Sequence, residues 1–205
     1  MRAAFSGALL VIFALLAGAT TAAAQPSGKV DPALVDRALA YLNGVRTLQA
    51  RFVQRDQSGG RWTGSLWMAR PGRLRFQYDP PVNDVIWADG GLVKHYDAAL
   101  EALTHLPPSE TPAWFLLDDQ VRLKDDVRVL ETSFQGDRYY LTAAQANIIG
   151  DARVTLAFAA EPDRILGWQV TDDTGAVTTL ELIDMTTGGP LPRGIFKYRP
   201  PTEGN

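Results

Sequence analysis

The sequence predicts a mainly β protein with helices: an incomplete, open antiparallel β-barrel of about eleven strands, capped by a lid of an N-terminal helix and a short inserted helix. Three observations predict it. From Leu48 onward apolar and polar residues alternate with period two through one short segment after another, as half-buried strands require. Gly, Pro and Asp turn signals punctuate those segments at regular spacing. Two stretches break the alternation, an amphipathic helical pattern ahead of the strands and a short apolar run midway.

The chain opens Met1-Arg2, continues with an apolar run from Ala8 to Ala17, and reaches Ala22-Ala23-Ala24 before Gln25. This order of charge, apolar core and small residues predicts a cleavable secretory signal over 1–24. The run decays into Gly18, Thr20 and Thr21, too short for a spanning helix of about 20 residues. Residues 25–205 are then expected to form a single domain, exported and soluble.

Asp31-Pro32 sets a capping residue before a proline at the first helical position. Leu34, Val35, Ala38, Leu39, Tyr41, Leu42 and Val45 follow at helical spacing, with Asp36, Arg37 and Asn43 opposite. Gly44 is expected to stop this helix by taking the left-handed conformation. Strands are then predicted from Leu48 to Val53, Trp62 to Met68 and Leu74 to Tyr78, with Gly59-Gly60 and Pro71-Gly72 as turns. Val85 to Ala88 and Leu92 to Tyr96 read as a hairpin about Asp89-Gly90-Gly91, and a sixth strand as Leu100 to Leu106. Pro107-Pro108 ends the run, and Ser109 to Leu117 predicts the inserted helix. Further strands are expected at Val127 to Ser133, Tyr139 to Ala143, Val154 to Phe158, Ile165 to Asp172, Val177 to Ile183 and finally Ile195 to Tyr198.

Composition excludes several functions. Zero cysteines leave no disulfide frame, thiolate metal site, thiol nucleophile or acylated cysteine. A net charge of −3 argues against nucleic acid as partner. His95 and His105 have no neighbour at metal spacing, no serine sits in a nucleophile elbow, and Asp118-Asp119 with Asp125-Asp126 lack the pattern of a calcium loop. No catalytic residue, metal or cofactor is therefore expected. The five tryptophans read as core or rim packing.

Several segments in order resemble the periplasmic outer-membrane lipoprotein carrier (LolA) family. They are Leu48-Gln49-Ala50-Arg51-Phe52-Val53-Gln54, Gly64-Ser65-Leu66-Trp67, Arg70-Pro71-Gly72-Arg73-Leu74-Arg75-Phe76, Asp89-Gly90 with Tyr96-Asp97, Thr111-Pro112 with Leu116-Leu117, and Phe196-Lys197-Tyr198-Arg199-Pro200-Pro201. The resemblance implies a carrier whose hollow barrel shields the acyl chains of lipoproteins between an inner-membrane ABC transporter and an outer-membrane acceptor, working as a monomer. It implies that Arg70 latches the lid by reaching helix-end carbonyls near Leu42 and Leu116. It further implies an acyl-chain cavity lined by Phe52, Leu66, Leu74, Phe76 and Tyr78 and faced by Leu42, Val45, Trp114, Phe115 and Leu116. Two departures stand out. Lys94-His95 replaces bulky aromatics in the fifth strand, making that wall less apolar, and the chain stops at Asn205, where some relatives continue. A carrier of another lipid, such as a glycolipid or isoprenoid, and a secreted enzyme with a dispersed site are the competing readings. A transmembrane barrel is disfavoured by Arg51, Arg73 and Arg75 on outward strand faces.

Overall fold

The computed structural model describes residues 29–108, 111, 114–122, 127–145 and 152–201; the signal segment falls outside them. Helix α1 spans Pro32–Gly44 and is followed by strands β1 (Thr47–Asp56), β2 (Arg61–Ala69), β3 (Arg73–Tyr78), β4 (Val85–Asp89), β5 (Val93–Asp97) and β6 (Ala102–Leu106). After the short helix α2 (Trp114–Leu117) come β7 (Val127–Gln135), β8 (Arg138–Gln145), β9 (Arg153–Ala160), β10 (Asp163–Thr171) and β11 (Val177–Thr187). All eleven strands join one sheet in the order β6-β5-β4-β3-β2-β1-β11-β10-β9-β8-β7. The first and last strands are neighbours, so the sheet's two edges are the consecutive strands β6 and β7, and the connection between them carries α2. The sheet is open, as expected of an incomplete barrel.

Contacts divide the chain into two compact units. One contains α1 up to Tyr41, Arg55–Gly60 and Arg122–Leu180. Asp31 caps its helix as expected, its Oδ1 accepting the Ala33 N–H at 2.9 Å. Arg37 leaves the helix to donate to the Asp163 carboxylate at 2.7 Å and the Ala160 carbonyl at 2.6 Å, with its guanidinium 5.0 Å from the centre of the Tyr139 ring. Tyr139 stacks on Phe158 at 4.9 Å, and both are fully buried. Two turns of this unit share one design: Asp56 Oδ1 gathers the amides of Ser58 and Gly60, and Asp172 Oδ1 those of Thr174 and Ala176.

The second unit contains Leu42–Gln54, Arg61–Val121 and Glu181–Asn205. Strands β2 to β5 pair antiparallel in sequence order, and α2 packs on β2 and β3. Three expectations are corrected here. Gly44 closes α1 without a positive φ, so the helix ends by another route: the residues around it are drawn into bonds with the segment after α2. The sixth strand starts at Ala102, because Asp97 Oδ1 accepts the amides of Ala99 and Leu100 and winds that stretch into a turn. Ile195 to Tyr198 is not a strand. Its amides bond back three residues, Ile195 to Pro192 at 3.3 Å and Lys197 to Gly194 at 2.9 Å, and the segment is held by side chains instead. Arg75 donates to the Ile195 carbonyl at 3.0 Å, and its guanidinium lies 5.0 Å from the centre of the Tyr198 ring.

Candidate functional site: an apolar wall and the Arg70 junction

Register in the second unit sorts side chains onto two faces. Leu66 pairs with Phe76, Met68 with Leu74 and Gly64 with Tyr78; Phe76 then pairs with Ile86 and Leu74 with Ala88. Phe52 of β1 joins this face, its ring edge-on to Phe76 at 5.5 Å and to Tyr78 at 5.1 Å. The five wall residues expected from the sequence, Phe52, Leu66, Leu74, Phe76 and Tyr78, are thus assembled on one buried face. Leu42, Val45, Phe115 and Leu116 are buried in the same unit. Trp114 opens α2, and its side chain lies outside the described residues.

The wall carries one polar pair. The Tyr78 hydroxyl donates to Gln54 Oε1 at 2.6 Å, while Gln54 Nε2 is buried with no hydrogen-bond partner among the described residues. Burial pushes the Tyr78 phenol far above its ordinary pKa, so the hydroxyl remains a donor. An unmet buried donor costs about 1–3 kcal/mol.

At the other end of β2 stands Arg70, 5% exposed. Its Nη2 donates to the Phe115 carbonyl of α2 at 2.5 Å; Nε and Nη1 are buried without partners among the described residues. Desolvation, aided by the like charge of Arg46, lowers the guanidinium pKa to about 10, against the pull of Asp118 and Asp119. Backbone bonds complete the junction. Arg70 N–H donates to the Arg46 carbonyl at 2.9 Å, Gly72 N–H to the Leu117 carbonyl at 2.8 Å, and Gly90 N–H to the Gly72 carbonyl at 2.9 Å. Gly72 is glycine for two reasons: its φ is +71°, and a β-carbon there would lie 3.1 Å from the Gly90 Cα. Of the helix-end carbonyls expected near Leu42 and Leu116, the guanidinium meets that of Phe115, next to Leu116, and among the described residues it makes no hydrogen bond near Leu42.

A family model described as "Outer membrane lipoprotein carrier protein LolA" matches residues 43–199. This chain belongs to that family. Among LolA relatives, the outer-membrane lipoprotein carrier protein of Chromohalobacter salexigens is 30% identical over 94% of this chain and 92% of its own length. That of Methylococcus capsulatus is 29% identical over 80% of this chain and 83% of its own. The crystal structure of an uncharacterized conserved protein from Thermus thermophilus shares the fold with a TM-score of 0.50 at 15% identity, covering 83% of this chain and 94% of that one.

Against the LolA pattern, the two residues of the Lys94-His95 departure separate. Lys94 pairs with Trp87 on the face opposite the wall, where its Nζ meets Asp89 at 3.2 Å. His95 pairs with Ile86 on the wall side and is buried 3.3 Å from Asp84, an acidic partner hidden from a sequence reading because it comes from the residue just before β4. Asn43 and Arg46 were hidden too. Asn43 exchanges two bonds with the Val121 backbone at 2.8 and 3.1 Å, and Arg46 binds both the carbonyl and the carboxylate of Asp119. Asn43 and Arg46 flank Gly44 and Val45, and polar side chains at the end of an apolar helix are the signal that could have marked them.

Proposed function

We propose that this protein, after removal of residues 1–24, works as a one-domain periplasmic carrier. It takes lipoproteins from an inner-membrane ABC transporter, holds their acyl chains against the wall of Phe52, Leu66, Leu74, Phe76 and Tyr78, and hands them to an outer-membrane acceptor. It acts as a monomer, by binding and release, without catalysing a reaction. Family membership supports the class of function, and the observation that carries the mechanism is the Arg70 junction. A buried guanidinium whose side chain makes one hydrogen bond among the described residues, to the Phe115 carbonyl, is a weak fastening for α2 against β2 and β3.

The energetics favour such a device. Burial is worth about 0.8 kcal/mol per CH₂, so one long acyl chain gains on the order of 10 kcal/mol by leaving water. Release into water is negligibly slow at that affinity, and unloading must be a direct transfer to a second apolar site. A latch whose hydrogen bond is worth about 1–3 kcal/mol, offset by the desolvation of its buried charge, can yield to entering chains without holding the protein shut.

The test is Arg70→Leu in a reconstituted transfer assay with donor membranes carrying the transporter and acceptor membranes. Uptake of lipoprotein is expected to persist while delivery falls at least tenfold. Unchanged delivery sinks the latch. Mass spectrometry of ligand extracted from the purified protein separates acylated protein from glycolipid or isoprenoid cargo.

A further inference from the structure

An apolar wall that only sheltered hydrocarbon would have no use for a buried amide, yet Gln54, 1% exposed, lies on it beside Phe52 and Tyr78. Its two ends differ. The carbonyl end accepts the Tyr78 hydroxyl at 2.6 Å. The Nε2 end is left with two N–H donors and no partner among the described residues. The other polar pair near this end of the sheet is not in that position: Asp84 takes His95 on one oxygen and the Ala98 N–H, at 3.0 Å, on the other.

We infer that Gln54, oriented by Tyr78, is an anchor for the carbonyl oxygen of a fatty-acyl ester or amide, so that the wall recognises where an acyl chain is joined to its carrier molecule. The inference rests on reading this wall as the acyl-binding surface. Three features favour that ligand. An amide NH₂ donates only, which excludes a metal cation. Gln54 and Tyr78 are both neutral, which suits an uncharged acceptor better than a phosphate or carboxylate. A lipid carbonyl is an acceptor that arrives already attached to hydrocarbon, so the same event fills the apolar wall and meets the orphan donor. Cargo without the carbonyl would leave that donor unmet and bind less well.

The experiment compares two probes of equal chain length on the full mature protein: a cysteinyl peptide bearing a dipalmitoyl-glyceryl ester group, and its dihexadecyl-glyceryl ether counterpart. The wild-type protein should bind the ester probe about tenfold more tightly in a fluorescence displacement assay, the size of one neutral hydrogen bond. Gln54→Met should erase the difference by bringing ester binding down to the level of the ether, and Tyr78→Phe should reduce it. Because either variant could fold poorly, the wild-type protein supplies an independent readout: the Gln54 side-chain amide proton resonance should move downfield with the ester probe and not with the ether. Binding of both probes without an ester preference, or a preference that survives in Gln54→Met, overturns the anchor and leaves the carrier reading standing. Binding of neither probe overturns both.

Discussion

The ring of Phe52 fills the space that a β-carbon on Gly64 would need: Cβ there would fall well inside van der Waals contact of the Phe52 ring edge and of the Gln77 carbonyl oxygen on the paired strand. Gly64 is what lets Phe52 lie across β2 and reach Phe76 and Tyr78. Backbone cannot yield as a flexible side chain would, so Gly64→Ala is expected to lower stability by about 1–3 kcal/mol. A urea titration followed by far-UV circular dichroism reads the shift, and an unchanged midpoint refutes the packing argument.

Much of this fold was legible because its signals are local. Period-two alternation located all eleven strands, and Asp31-Pro32 located the start of α1, since each depends on residues within a few positions of one another. That Leu74, Phe76 and Tyr78 share one face followed from the same alternation, whereas their grouping with Phe52 and Leu66 as a wall was implied by the family resemblance. What stayed hidden depends on distance along the chain. Arg70 could be marked, but its particular acceptor, the Phe115 carbonyl 45 residues away, could not be. Ile195 to Tyr198 was misread because a short apolar run between prolines looks alike as a strand and as a strap; only Arg75 and Trp87, brought beside it by the sheet, decide.

Arg70 should cost folding rather than help it at neutral pH. Its charge is buried with two nitrogens unmet among the described residues, and a flexible apolar side chain can fill the same space. Arg70→Met is therefore expected to be as stable as the wild type, or more stable by up to about 3 kcal/mol, in urea at pH 7. The pH dependence carries a sign. With the folded pKa lowered to about 10 from 12.5, the unfolded chain binds more protons between those values, so the wild type gains stability as pH rises through that window. Below it the gain is absent. The gap between variant and wild type should therefore narrow above pH 10. A variant that loses more than about 1 kcal/mol at pH 7 contradicts the argument.

On the face of the sheet opposite the wall, Arg51 pairs with the Asp79 carboxylate, which also accepts the Thr63 hydroxyl at 2.6 Å. The bond to Arg51, then that to Thr63, holds the Asp79 pKa below its ordinary value. A depressed carboxylate contributes stability that is present above its unfolded pKa and disappears as pH falls through the folded one. Asp79→Asn should be less stable than the wild type at pH 7, by a modest amount because both partners are about a third exposed. The difference should vanish on the acid side of the ordinary carboxylate range. Denaturation midpoints that keep a constant gap from neutral pH down to strong acid would show that the charge of Asp79 contributes nothing.

Tyr198 is the residue through which the C-terminal strap is fastened. Its ring meets Trp87 edge-on at 4.9 Å, stands 6.3 Å from Tyr96 and receives the Arg75 guanidinium at 5.0 Å. Val85, Trp87 and Tyr96 form a buried cluster on β4 and β5, with Leu103 of β6 and Tyr198 packed against it. Without Tyr198 the indole of Trp87, now 2% exposed, meets water, and the Arg75 guanidinium loses the aromatic face it packs against. Tyr198→Ala is expected to cost about 2–4 kcal/mol. It should also shift tryptophan emission to longer wavelength in the folded protein, before any denaturant is added. Replacing Tyr198 by Phe keeps the ring and should keep both properties, because the contacts at stake are made by the ring and not by the hydroxyl. If Tyr198→Ala leaves emission and midpoint where they were, the strap lies on the sheet without holding it. The local hydrogen bonds from Ile195 to Pro192 and from Lys197 to Gly194 would then be what shapes it.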